Sequence, residues 1–124
     1  MTEAQARCLV NDRSHNRCEL CGTTQSLTFS HRTPKSLGGK WTATNGIRAC
    51  GSGTTGCHGW IEHHPEWAEA GGWRVPSYTD PAIVPVYLVL PWPGWWLLTP
   101  DGHYESTWET AEPAHLPPHA AVRS

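Results

Sequence analysis

Apolar positions in this chain fall into two periods, one helical and one alternating, and the change between them marks out the elements. Thr2-Glu3-Ala4-Gln5 has the form of a capping box, and Ala6, Leu9 and Val10 follow at three- and four-residue spacing. That spacing predicts a helix over residues 3 to 12 with one apolar face. Cys8 lies off this face, and free cysteine habitually packs as a small apolar group, so a buried or half-buried thiol is expected there. Residues 26 to 31 alternate, with Leu27 and Phe29 on one side, which predicts a strand ending at His31. Pro34, Gly38 and Gly39 interrupt the alternation with a loop, and residues 46 to 50 form a second short strand that turns Ile47 inward. The run Gly51 to Gly56 contains only Gly, Ser and Thr and reads as a turn.

Helical spacing returns at Cys57. Pro65 is tolerated in a first helical turn but not in an interior, so two helices are predicted, from about Cys57 to His64 and from Pro65 to Ala70, with Gly71-Gly72 as the stop. Trp60 and Trp67 are expected to supply buried area. Beyond Val84 the alternating pattern resumes in Pro85 to Leu90 and Gly94 to Thr99, and Pro100-Asp101-Gly102 turns into His103-Tyr104-Glu105. This predicts a β-ribbon or small meander over about 84–105, either covering the rest of the fold or offering an edge to a partner. Residues 109–124 have no period, and Pro113, Pro117 and Pro118 keep His115 and His119 from sharing a helix. A disordered or loosely draped tail is expected there, after a single domain over 1–108. The fold class is α+β.

Composition changes the picture in one respect. Apolar residues make up only 38% of the 124, and eight tryptophans carry much of what burial there is. A core so poor in aliphatic side chains benefits from a covalent or metallic staple. Cys18 and Cys21 form a C-x2-C pair, and Cys50 and Cys57 form a second short-spaced pair, a layout that closes a tetrahedral zinc shell. With Cys8 the cysteine count is odd, and neither end carries a long apolar span, so a reducing cytoplasm is the expected compartment, with no membrane partner. The net charge of −2 disfavours diffuse affinity for nucleic acid, but its distribution does not. Residues 1 to 74 hold eight basic against six acidic side chains, whereas residues 75 to 124 hold Arg123 against five acids. The positive charge therefore travels with the cysteines, and Arg32, Lys35 and Arg48 are candidate phosphate contacts.

Between and just after the cysteine pairs stand Ser30-His31-Arg32, Asn45 and His58, with Glu62 one helical turn beyond. This stretch resembles the HNH endonuclease family, whose two histidines and one asparagine are here His31, Asn45 and His58. Arg13 to Gly22 is similar to the zinc knuckle that precedes many HNH motifs, and Cys50 to Trp60 is similar to HNH proteins of actinobacterial phages. The likeness covers roughly residues 6 to 90. It implies a ββα-metal core, a structural Zn²⁺ and a catalytic divalent cation such as Mg²⁺ or Mn²⁺. It also implies DNA as substrate, phage packaging (terminase) proteins as partners, and the host bacterial cytoplasm as location. By the same resemblance His31 is the general base, Asn45 braces the loop, and His58 with Glu62 holds the catalytic ion. Neutral imidazole suits the base role independently. The family commonly places Asp or His, as a metal ligand, where this chain has Ser30, and a hydroxyl is a weaker ligand. The alternative expectation is therefore a zinc-stapled DNA-binding or packaging-complex module with little or no turnover.

Overall fold

The computed structural model describes residues 1–118. Among these, three α-helices and two antiparallel sheets form an α+β fold around one main core. Helix α1, Glu3–Ser14, opens with the capping box: the Thr2 hydroxyl accepts from the Gln5 N–H and the Gln5 side chain accepts from the Thr2 N–H. It runs past residue 12 because His15 takes the left-handed conformation, φ 53°, and returns its N–H to the last turn. Ala6 and Val10 are fully buried. Cys8 corrects the expectation of burial: it projects from the opposite side of α1, is exposed, and lies 3.8 Å from Asp12. Two residues along a helix is a turn of about 200°, which carries residue 8 away from the face set by Ala6.

Strands β1, Leu27–His31, and β2, Gly46–Cys50, pair antiparallel from Leu27↔Cys50 to His31↔Gly46. The hairpin has two differently covered sides. Phe29 packs with Ala6, Val10 and Trp41, on the α1 side. Ile47 and Ala49 join the main core with Ile61 of α2, Gly56–His63. Gly46 is required opposite His31, since a Cβ there would fall 2.1 Å from the Phe29 ring. Helix α3, Pro65–Ala70, starts afresh at Pro65, as the proline rule predicts.

Strands β3, Val86–Leu88, β4, Gly94–Leu98, and β5, Tyr104–Ser106, make a three-stranded meander. Val86, Leu88, Trp96 and Leu98 enter the same core as Ile47, Ile61, Trp73 and the cysteines. The Val89 N–H donates to the Glu19 carbonyl, and Tyr104 Oη donates to the buried Glu19 carboxylate at 2.6 Å. The same carboxylate takes a two-pronged contact from Arg13 and the N–H of Arg48. Burial alone would depress the Arg13 guanidinium, and the Glu19 charge outweighs it. This network ties α1, β2, β5 and the Cys18–Cys21 knuckle into one body.

Residues 109–118 run back across the molecule. Trp95 Nε1 donates to the Ala111 carbonyl, His115 stacks on Trp67 at 4.0 Å, Leu116 packs on the main core and Pro117 is buried. A segment without a period is thus held by isolated side-chain contacts rather than by regular hydrogen bonding. The remainder of the expected tail, including His119, lies outside the described residues. Among the described residues no helix is long and apolar enough to cross a membrane.

Candidate functional site

Cys18, Cys21, Cys50 and Cys57 converge, with all four sulfurs within 4.8 Å of one another and all four residues buried. The knuckle supplies the first two, the end of β2 the third, and the first turn of α2 the fourth. Backbone N–H groups of Cys50 and Cys57 point at the sulfurs of Cys18 and Cys50. Four such thiols cannot share one charge state unaided. A hydrogen bond from Cys57 pulls Cys18 down to about 5, burial pushes Cys21 up to about 12, and the contact with Cys18 drives Cys57 upward as well. A cation at the centre removes this conflict, because it stabilises every thiolate at once. The donor set can coordinate a metal ion.

On the α2 side of the hairpin, His58 Nδ1 lies 2.8 Å from the Thr28 hydroxyl. That hydroxyl is also 3.1 Å from the carbonyls of Ala49 and Gly51, to which its only proton can be given, so it accepts from an Nδ1–H. The bond fixes the tautomer and leaves the lone pair on Nε2, which is 3.7 Å from the Glu62 carboxylate. The other Glu62 oxygen is 3.2 Å from Arg74. Burial keeps the His58 imidazole below its ordinary pKa; Glu62 opposes the shift and Arg74 adds to it. Ser30, two positions from Thr28 on the same side of β1, is fully buried, and its hydroxyl has no hydrogen-bond partner.

On the α1 side stands His31. Its ring meets Trp41 edge-on at 4.4 Å and Phe29 at 5.0 Å, and its Nε2 is buried without a partner. The guanidinium of Arg7 lies 4.9 Å above Trp41 and the Lys35 ammonium 5.5 Å from the same ring. Burial, then the charges of Lys35 and Arg7, with a smaller push from His58, hold the His31 imidazole below its ordinary range. His58 thus reaches β1 from the Thr28 side and His31 from the Phe29 side, near enough for the charge of His58 to act on His31. Asn45 is buried and fully bonded: its amide spans the N–H and carbonyl of Thr33 and the carbonyl of Lys40, which holds the loop after His31 against the start of β2. With both amide atoms used internally, Asn45 acts on position only.

Arg32 corrects the expectation of a phosphate contact. Its side chain is fully buried and donates to the carbonyls of Thr44, Gly72, Pro81 and Val84, and burial lowers its pKa to about 9. It ties four chain segments together and faces no solvent. Lys35 is exposed and Arg48 half-buried with an unpartnered Nε, so both remain available. Sequence reasoning missed Thr28, Arg7, Trp41 and Arg74. A signal existed for the first, since Thr28 precedes Ser30 by the strand repeat of two and so shares its face.

A cleft of about 690 Å³ lies elsewhere, between the end of α1 and the β4–β5 turn, and is lined by Leu9, Asp12, His15, Pro91, His103 and Tyr104. It holds none of the residues above, and convergence of chemistry rather than cleft size marks the site. In comparisons with family models, with curated proteins and with solved structures, the chain matches none.

Proposed function

We propose that the protein is a metal-dependent endonuclease of HNH type that hydrolyses phosphodiester bonds in DNA, with a structural zinc at the four cysteines. The observation that carries the reading is the bond from His58 Nδ1 to Thr28, which aims Nε2 beside Glu62 while His31 stands on the Phe29 side of β1 with a free, buried Nε2. The β1–β2–α2 arrangement supports a ββα-metal core. For the cysteines, zinc–sulfur bonds of about 2.3 Å place tetrahedral sulfurs roughly 3.8 Å apart. The Cys21 and Cys50 sulfurs are separated by 3.7 Å.

His58 Nε2 and the Glu62 carboxylate would hold a divalent cation such as Mg²⁺ or Mn²⁺, with Arg74 keeping Glu62 in place. Such an ion neutralises the scissile phosphate and stabilises the departing oxygen. His31 accepts the proton of the attacking water, a task suited to an imidazole whose pKa burial and then its cationic neighbours lower. Asn45 fixes the loop that follows His31. The enclosed Ser30 hydroxyl adds little to an ion's shell, and this favours the second reading, a zinc-stapled DNA-binding or phage packaging-complex module without turnover.

Plasmid cleavage with a panel of divalent ions separates the two. The nuclease reading expects His31→Ala to slow cleavage by about two to four orders of magnitude, the typical worth of a positioned general base, with zinc content and DNA binding retained. His58→Ala should instead raise the ion concentration needed. A wild-type protein that binds DNA and fails to cut it with any of the ions is the packaging or binding module.

A further inference from the structure

The α1 side of the hairpin carries charge that the proposed reaction does not use. Arg7 of α1, Lys35 of the short turn after His31, and Arg48 of β2 come from three separate segments. Trp41 collects the first two: Arg7 lies 4.9 Å and Lys35 5.5 Å from its ring. Arg48 stands opposite Phe29 in the hairpin register, on the side Arg7 also reaches, since the Arg7 guanidinium is 5.8 Å from the Phe29 ring. Repulsion is the expected outcome of such an arrangement. After burial, the charges of Lys35 and Arg7 both act against a proton on His31. Glu3 binds Arg7 on an exposed side of α1, and the buried Glu19, which accepts from the Arg48 N–H, partly offsets the Arg48 charge; neither forms an ion pair with Lys35 or with the Arg48 guanidinium. Two buried polar atoms in the same place have no partner, Nε2 of His31 and Nε of Arg48. Clustered cations are the complement of an oxyanion.

We propose that Arg7, Lys35 and Arg48 form a clamp for a backbone phosphate of the nucleic acid that adjoins the phosphate undergoing hydrolysis, with Trp41 holding the two mobile cations in place. This rests on the nuclease reading for its substrate, but not on turnover. The clamp makes the N-terminal helix part of the binding surface, although α1 contributes nothing to the metal-ligand set. It also requires at least two consecutive phosphates, so the clamp selects a polymer over a single phosphodiester.

Binding measured by fluorescence anisotropy on a labelled 20-base-pair duplex, over a series of KCl concentrations and without added divalent ion, tests the clamp directly. Each phosphate contact contributes about 0.9 to the slope of log affinity against log salt. Arg7→Gln and Lys35→Gln should each lower that slope by about 0.9, and the double variant by about twice as much. Arg7→Lys should keep the slope, Trp41→Leu should reduce it, and Arg17→Gln, on the knuckle, should leave it unchanged. Thermal unfolding of each variant identifies loss of fold, which lowers the active fraction but does not alter a salt slope. Slopes equal to wild type in Arg7→Gln and Lys35→Gln, or no DNA affinity in the wild type, overturn the clamp. A protein that shows these slopes and never cuts keeps the clamp and loses the nuclease reading. A protein that cuts while the slopes stay equal does the reverse.

Discussion

The two sides of the β1–β2 hairpin are built on opposite principles. Towards α2, the side chains form a chain of contacts, Thr28 holding His58, His58 approaching Glu62 and Glu62 engaging Arg74, beside which the Ser30 hydroxyl and Arg74 Nε have no partner. Towards α1, cations gather round His31 and Arg48 with nitrogens left unpaired. Internal bonding fixes direction, as a cation site needs, because a ligand lone pair must point at one place. Unpaired positive groups instead store an attraction that only an incoming anion satisfies. On the proposed reading, a single two-stranded element carries the cation-binding group towards α2 and the anion-binding group towards α1.

The most severe way to break this division is to detach α2. Cys57→Ser removes the ligand in its first turn, and because metal-binding energy is folding energy in domains of this kind, the variant should lose both its metal and its cooperative unfolding transition. Metal analysis with circular dichroism reads this, and a metal-free variant with an ordinary transition would sink the staple. A milder test touches the α2 side alone. Thr28→Val keeps shape but frees the His58 ring, and loss of such an orienting partner should weaken the ion by about 10–100-fold in a metal titration of cleavage. An unchanged titration would mean that Thr28 does not hold the ligand. The smallest effect belongs to the α1 side. Cations beside an imidazole disfavour its protonated form, so Lys35→Gln should let the His31 pKa rise towards its ordinary value. Cleavage is lost as pH falls through that pKa, because only the neutral ring accepts a proton. The acid limb of the pH–rate profile should therefore move to higher pH in Lys35→Gln. A limb that stays put, or moves down, would place the base elsewhere.

Much of this was legible in the chain because it rests on short-range chemistry. The capping box, the proline at 65 and the alternation before His31 each act within a few residues, and the helices and strands follow them closely. The cysteine cluster was legible for a different reason, since four thiolates at such spacings have few other uses. What the sequence hid was long-range. Nothing local distinguishes Arg32 from Arg48, yet one is sealed among carbonyls and the other is half open to solvent. Cys8 was misjudged because a residue-type habit was preferred to its helical angle. The contacts of His115, Leu116 and Pro117 could not be inferred because they depend on a surface assembled by other segments.

Arg32 has a consequence in time as well as in space. Its guanidinium closes spans of 12, 40, 49 and 52 residues, so three of its four carbonyl partners do not exist until long after it has been synthesised. A nascent chain already holding every cysteine ligand still has this cation in water. The interior around β1 cannot close before Val84 has cleared the ribosome. Vectorial synthesis thus separates appearance of the four cysteines from completion of the fold.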